Sequence, residues 1–410
     1  MSRQPRKLTQ PAILWLQVWG LAALQGAITL TWIVYNLYLP QLLVQFGYAK
    51  QLAVGLLMVE NALAIVMEPL MGGLSDRAKH WLGSRFPFIA VGVVLSSALF
   101  IAIPATVVFG QQAGVTRTVL LVVLVSWALA MTVFRSPAIS LLARYAKPAQ
   151  LPLAASLLTL VAGVIGAFKP IASQFILSLG AVLTFTIGSL VLLGTAAVLR
   201  SLNSYVQTPE AAVDRTAVQS LSISALGLIF ITGASLTWGT KSFMGMLPQM
   251  LRTQLDMANV DWLMVGIAIA LAFAALPAGE WAVEVGNRKA MLIGIGVTVG
   301  LLEASVFIPT WVTLGAAVVA VIAGMSVIFN GVIHFALALV PPQQAGLGTG
   351  MYFGGVAAAV SLFGSIFPPT APTAPVIGAI GGAIAFLVAA LCIAASFQVR
   401  STSDADLATD

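Results

Sequence analysis

Long apolar stretches constrain this chain more than any other feature of its sequence. Runs of about 20 or more mostly apolar residues recur along its whole length, and a helix of about 20 residues crosses about 30 Å of hydrocarbon. Sixty per cent of the 410 residues are hydrophobic and 8% are charged, whereas a soluble domain carries roughly 25% charged residues. Because so few charges cannot cover a water-facing surface, we predict an all-α membrane protein with twelve transmembrane helices.

The predicted spans follow the apolar stretches and are separated by short polar segments. They cover residues 14–44, 51–72, 87–109, 118–143, 151–175, 181–200, 218–246, 260–282, 290–308, 312–338, 346–367 and 375–397. The first stretch is far longer than the 7–15-residue apolar core of a signal peptide, so we expect it to be a membrane helix.

The lysines and arginines are distributed unevenly between the two sides of these spans. With the N-terminus inside, thirteen of the nineteen lie in predicted cytoplasmic segments, three in outer loops and three within spans. Such an excess marks the cytoplasmic side. We therefore predict a multi-pass protein of the inner (plasma) membrane with both termini in the cytoplasm. The net charge of +6 then reflects topology and does not indicate nucleic-acid binding.

The two halves of the sequence share short motifs in the same order. LTW at 30–32 recurs at 236–238, and LPQLL at 39–43 recurs as LPQML at 247–251. Chance similarity in a chain rich in Ala, Leu, Gly and Val accounts for one such match, but hardly for several in the same order. The pattern predicts duplication of a six-helix unit.

Duplication divides the chain into four predicted parts. Residues 1–200 and 218–400 form the two six-helix bundles, 201–217 form a cytoplasmic linker, and 401–410 form a cytoplasmic tail. Repeats of this kind place the substrate site between the halves, near the bilayer midplane.

A cytoplasmic motif follows the second predicted span. GGLSDR at 72–77 and GSRFPFI at 83–89 resemble the loop between helices two and three of the major facilitator superfamily. More narrowly, they resemble its sucrose–proton symporter and glycoside–pentoside–hexuronide branch. We expect Gly72, Asp76, Arg77 and Arg85 to form a gating loop. Glycine allows close helix approach, Asp76 can accept hydrogen bonds at a helix N-terminus, and the arginines anchor the loop at lipid headgroups.

The resemblance implies two pseudo-symmetric six-helix bundles and transport by alternating access. A second stretch, PAISLLAR at 137–144, is similar to the P-A-R-A-L-L-A-D motif of the same branch. It departs from that motif at Ile139 and Arg144, which replace the branch's arginine and aspartate. Sugar specificity and proton coupling therefore do not transfer with the fold.

Four charged residues inside predicted spans are candidates for function, because a charge at the bilayer centre costs roughly 2.5–3.5 kcal/mol. Glu60, beside Asn61, is interpreted as a protonatable carboxyl that couples transport to protons, or as a structural partner of Lys169 or Arg135. Arg135 suits an anionic substrate or a relay, or a structural ion pair. Lys169 and Lys241 either reach the outer headgroups or face the cavity, where they favour an anionic solute.

Uncharged candidates are fewer. Trp32 and Trp238 occupy equivalent repeat positions and would stack on a sugar ring or serve ordinary packing. Asn330 and His334 lie on one helix face and would line the cavity.

No enzymatic or cofactor chemistry is predicted. The single cysteine, Cys392, and two distant histidines allow neither a disulfide nor a Cys/His metal cluster. We predict a monomeric secondary active transporter, not an enzyme, whose partners are a small polar solute (sugar-like or an organic anion), a proton or other coupling ion, and the bilayer. The alternative is a non-transporting delivery or assembly factor of the same fold, for example for a lipid or pigment.

The topology is testable with accessibility tags. Tags at both termini and within 201–217 should report the cytoplasm, and a tag beside Gln111 should report the outside, because the positive charges lie on the cytoplasmic side. Labelling of intact cells against permeabilised cells measures this. An externally labelled C-terminus would contradict the twelve-helix count.

Overall fold

Helices account for most of the described residues, and short turns connect them. The computed structural model describes residues 11–110, 114–204, 222–256, 259–367 and 375–406. Twelve helices, counted with adjoining short turns, are long and apolar enough to cross a bilayer, which confirms the predicted fold class. They are α1 Trp15–Gln45, α2 Leu52–Leu82, α3 Phe86–Phe109, α4 Gly114–Ile139, α5 Leu151–Ala167, α6 Ala181–Ser204, α7 Ile223–Leu255, α8 Asp261–Val285, α9 Asn287–Phe307, α10 Trp311–Ala338, α11 Ala345–Ile366 and α12 Pro375–Asp406.

Two helices extend well beyond their predicted ends at 72 and 246. Helix α2 continues to Leu82 and stops at Gly83, whose φ of 68° is in the left-handed region. Helix α7 continues past Pro248 and stops at Asp256, also left-handed. Hydropathy marks where the lipid ends, whereas a helix ends where its backbone turns. The predicted gating loop is therefore partly wrong, because its first three residues lie in the last turns of α2.

The fifth span is interrupted. Helix α5 ends at Ala167, and a second helix, Lys169–Ser178, begins after Phe168. We call this second helix the outer segment. Pro170 occupies its second position, and because proline has no N–H and its ring clashes with the preceding turn, a continuous helix is broken there. The predicted single helix over 151–175 is wrong in this respect.

The two halves pack by the same scheme. In the first half, α1 contacts α5 and α6, α3 contacts α4 and α6, and α2 contacts α4. In the second half, α7 contacts α11 and α12, α9 contacts α10 and α12, and α8 contacts α10. Each pair matches its counterpart six helices later, as duplication predicts. The exact domain bounds stay predictions, since most of the linker (205–217) and the end of the tail (407–410) lie outside the described residues.

The halves meet mainly along α2 with α11 and α5 with α8. Glycines allow the first contact: a Cβ at Gly72 would overlap the carbonyl of Gly346, and one at Gly350 would overlap the carbonyl of Glu68. In the second contact, a Cβ at Gly163 would come 2.8 Å from that of Ala272. The backbones of opposite halves thus touch directly at the end of the bundle that carries Asp76.

The α2–α11 contact generates a stability prediction. Gly72→Ala should lower the melting temperature, because the new methyl overlaps the α11 backbone, and overpacking costs about 1–3 kcal/mol. Gly73→Ala is the matched control, since its Cβ would meet only a Leu347 side-chain atom at 3.7 Å. Thermal unfolding of both variants in detergent measures the difference. Equal melting temperatures would show that this approach is not tight.

Candidate functional site

Asp76 links the two halves at the predicted cytoplasmic side. Its two carboxylate oxygens accept backbone N–H groups at the start of α11, from Gly346 at 3.0 Å and from Leu347 at 2.8 Å. The guanidinium of Arg85 donates to the same carboxylate. The amino end of a helix is its positive end, so a carboxylate there is stabilised by charge as well as by hydrogen bonds. We call these four residues the α2–α11 lock.

The two arginines of the predicted gating motif differ in their surroundings. Arg85 is 7% exposed and pairs with Asp76 instead of reaching the headgroups, as both arginines were expected to do. Arg77 is exposed. A buried guanidinium needs a partner of opposite charge, and the Asp76 carboxylate is that partner.

A second charged layer lies deeper in the bundle. The Arg135 guanidinium is 2.8 Å from a carboxylate oxygen of Glu68, and the Ser136 hydroxyl donates to the same carboxylate. Helix α11 covers this pair: the Phe353 ring lies 4.2 Å from the guanidinium carbon, and Thr349 donates to the Ser136 carbonyl at 3.1 Å. We call these five residues the inner layer. It joins α2 and α4 of the first half to α11 of the second.

The inner layer settles which carboxyl pairs with Arg135. The sequence left open an ion pair between Arg135 and Glu60, but the partner is Glu68. The Glu68 side chain is 1% exposed and that of Arg135 is 19% exposed. Arg135 therefore stays partly exposed while its charge is balanced.

Glu60 lies in a different environment, between α1 and α2. It is 3% exposed and accepts a hydrogen bond from the Tyr35 hydroxyl. Its other oxygen has no hydrogen-bond partner among the described residues. Within the same residues, Glu60 forms no ion pair with Lys169 or with Arg135. The neighbouring Asn61 only donates back to the Leu57 carbonyl at 2.7 Å. Glu60 is thus a buried carboxyl held by one phenol.

The two repeat tryptophans pack against other aromatic rings. The Trp32 ring lies 5.8 Å from that of Tyr35 and 4.9 Å from that of Trp127. Trp238 packs edge-on against Phe363 at 5.3 Å. Both tryptophans remain partly exposed, so packing and a face toward the cavity are compatible at each position.

The two intramembrane lysines lie on opposite halves. Lys169 begins the outer segment and is exposed, whereas Lys241 of α7 is partly buried. The Lys241 nitrogen lies 5.9 Å from the centre of the Phe363 ring. The Lys241 side chain is thus directed toward α11 of its own half, and a cavity-facing role for Lys169 stays a prediction.

The two polar candidates on α10 do not share one environment. Asn330 is fully buried and donates to the Ala275 carbonyl of α8 at 2.5 Å, which is a helix-packing contact. His334, one turn later, is partly buried. The structure therefore gives Asn330 a packing contact where the sequence predicted a cavity-lining side chain.

The α11 residues that complete these sites were not among those predicted from the sequence. Gly346, Thr349 and Phe353 contribute to the lock or to the inner layer. The run GLGTG at 346–350 could have indicated a helix start that another helix approaches closely. Its partner helix could not have been read from the sequence.

Comparison with known proteins establishes the fold. Neither a family model nor a curated protein matches the chain. Solved structures do resemble it. A bacterial homologue of the iron transporter ferroportin, in an outward-facing state, is 14% identical with a TM-score of 0.69, over 94% of this chain and 99% of that one.

Two further solved structures agree. The Escherichia coli fucose:proton symporter FucP, a Major Facilitator Superfamily transporter in the outward conformation, is 13% identical with a TM-score of 0.67, over 92% of this chain and 97% of that one. A human organic anion transporter is 13% identical with a TM-score of 0.62, over 95% and 100%. This chain has the major facilitator fold. Identities this low show the fold alone, and the narrower resemblance to the sucrose–proton symporter branch stays a prediction.

Proposed function

We propose that this protein is a secondary active transporter that moves a small polar solute by alternating access. The observation that carries the proposal is the α2–α11 lock, in which a carboxylate on one half binds the helix start of the other half. Such a contact holds one side of the bundle closed and can be broken without unfolding either half. A solute site between the halves would then open to the opposite side.

The inner layer fits the same role. Its ion pair is completed within the first half, so α11 can leave without stranding a buried charge. The contacts that α11 makes there are a hydrogen bond and an arginine–ring contact. Each is modest in energy, about 0.5–2 kcal/mol, and this suits an interface that opens and closes repeatedly.

Glu60 is the proposed proton site. It is a buried carboxyl with a single phenol partner and no ion pair within the described chain. Burying an unpaired charge is costly, and proton binding removes that cost. Tyr35 stands on α1 and Glu60 on α2, so a relative movement of these helices would change access to the carboxyl and couple protonation to transport.

The solute is not named by the fold. The three similar structures are those of a ferroportin homologue, a fucose symporter and an organic anion transporter, and one fold serves many substrates. A delivery or assembly factor for a lipid or pigment is the alternative. It predicts that variants of the lock and of Glu60 leave function intact, whereas a transporter requires them.

The lock should control turnover more than substrate binding. Asp76→Asn retains one oxygen acceptor but loses the charge, and a hydrogen bond to a charged group is worth about 1.5–3 kcal/mol. We expect turnover to fall roughly tenfold or more, with binding affinity changed less, in proteoliposomes tested with a panel of labelled sugars and organic anions. His80→Gln, an exposed change one turn later on α2, is the control. Wild-type turnover in Asp76→Asn would remove the gating role.

Glu60→Gln should separate proton coupling from solute movement. Glutamine keeps the size and a hydrogen-bond acceptor for Tyr35 but cannot exchange a proton. Accumulation driven by a pH gradient should be abolished while solute exchange without a gradient persists. Glu284→Gln, at an exposed carboxyl of α8, is the matched control. Proton-driven accumulation in a well-folded Glu60→Gln would exclude Glu60 from coupling, and the absence of any solute movement by the wild type would contradict the transporter proposal itself.

A further inference from the structure

We propose that residues 12–14, just before α1, form a strap that holds the start of α5 against α8 and so helps to keep the predicted cytoplasmic side closed. The inference rests on the proposed alternating access and adds a second closing element to the α2–α11 lock. It is carried by the backbone hydrogen bonds of the strap, by the stiffness of the chain that the strap binds, and by the contact between α5 and α8.

The strap pairs with the connection between α4 and α5, which covers residues 140–150. Two backbone hydrogen bonds join the two segments, from the Leu14 N–H to the Tyr145 carbonyl at 2.7 Å and from the Lys147 N–H to the Ala12 carbonyl at 3.0 Å. Backbone groups that are removed from water need hydrogen-bond partners. The strap therefore provides partners for two groups of a connection that has little regular structure of its own.

The contact between the strap and the connection is buried. Ile13 and Ala146 form an antiparallel bridge between the two hydrogen bonds, and they are 6% and 7% exposed. Tyr145 is also buried, and its hydroxyl donates to the Asn203 side-chain oxygen near the end of α6 at 3.2 Å. The strap is thus packed into the first half and does not lie free.

A short stiff turn links the strap contact to α5. Lys147 is followed by the 3₁₀ turn Pro148–Gln150, and its carbonyl accepts the Gln150 N–H at 2.8 Å. Pro148 lies in this turn and Pro152 in the first turn of α5, and each proline ring fixes one backbone φ angle. Few free torsions therefore separate Lys147 from the helix, so the strap also fixes where α5 begins.

The start of α5 lies directly against α8 of the other half. A Cβ at Gly279 would be 3.1 Å from the Pro152 carbonyl oxygen and 3.0 Å from the Ser156 Cβ. Ser156 is fully buried. Because the two helices are this close, a displacement of the α5 start would open the contact with α8.

This contact has no counterpart of the Asp76 carboxylate. Pro69 of α2 and Pro277 of α8 occupy equivalent repeat positions, and the residue seven positions later is Asp76 in α2 and Glu284 in α8. Asp76 binds the start of α11, whereas Glu284 is exposed and forms no ion pair within the described residues. The start of α5 is therefore positioned from its own half, by the strap.

Lys147→Pro isolates one hydrogen bond of the strap. Lys147 has a φ of −63°, and Ala146 before it is extended, with φ −140° and ψ 147°. Proline and the residue before it adopt such angles, so the substitution removes the N–H without straining the backbone. Lys147→Gln, at the same exposed position, removes the charge but keeps the N–H, and it is the matched control.

Hydrogen–deuterium exchange of the purified full chain, read by mass spectrometry, measures the effect in a segment that the substitution does not touch. In Lys147→Pro, the amides of residues 276–285 of α8 should exchange about two- to tenfold faster, the factor that one net hydrogen bond is worth, because the α5–α8 contact opens more often. Lys147→Gln should match the wild type. Faster exchange confined to residues 145–156, with α8 unchanged, would show that the strap stabilises only its own half and would contradict the proposal.

A disulfide tests the strap by restoring it. Ile13 and Ala146 face each other as a non-hydrogen-bonded antiparallel pair, whose Cα atoms are about 4.5 Å apart, within the range that a disulfide spans. Ile13→Cys and Ala146→Cys, added to Lys147→Pro with Cys392→Ser, should return α8 exchange to the wild-type rate when oxidised. Reduction should make it fast again. Exchange that stays fast in the oxidised protein would rule out the strap as the cause.

Exchange and uptake together separate this inference from the proposed transport. Uptake of a labelled sugar or organic anion by the wild type, with α8 exchange unchanged in Lys147→Pro, would overturn the strap and keep the transporter. Faster α8 exchange in Lys147→Pro, without movement of any solute by the wild type, would keep the strap and overturn the transporter.

Discussion

Backbone contact between α2 and α11 is the constraint on which the arrangement of the halves depends. Glycines at 72, 346 and 350 remove the side chains that would keep these helices apart, and dispersion between closely packed backbones then replaces the missing hydrophobic drive inside lipid. Only at this distance do the N–H groups of Gly346 and Leu347 reach Asp76. The hydrogen bonds of the α2–α11 lock therefore depend on the close approach of the two helices.

The charges inside the bundle differ in how fully neighbouring groups balance them, and this difference follows their position along the bundle. At the predicted cytoplasmic end, Asp76 with Arg85 and Glu68 with Arg135 are paired. In the middle, Glu60 has one phenol partner. Toward the other end, Lys169 and Lys241 form no ion pair with a carboxylate within the described residues. Paired charges stabilise a closed contact, whereas incompletely balanced ones favour a proton or a solute that completes them. This ordering places the proposed gate and the proposed coupling site along one axis of the molecule.

Sequence reasoning succeeded where the physics is local or repeated. Apolar runs predicted twelve spans, and the matched LTW and LPQ motifs predicted the duplication that the helix packing repeats. It failed at the ends of α2 and α7 and at the break before Lys169. Hydropathy measures preference for lipid, but left-handed backbone at Gly83 and Asp256 and the missing N–H of Pro170 decide where a helix stops or breaks.

By itself, the sequence determined the number of spans, the repeated halves and the small set of polar residues whose burial in lipid costs free energy. Tertiary structure alone decided how those residues pair. Glu68, not Glu60, pairs with Arg135, and Lys241 lies against the Phe363 ring of α11. The Asp76 carboxylate accepts backbone hydrogen bonds from residues about 270 positions later in the chain. The physical reason is that helix periodicity fixes which face a side chain occupies, whereas a hydrogen bond or an ion pair depends on which other helix packs there.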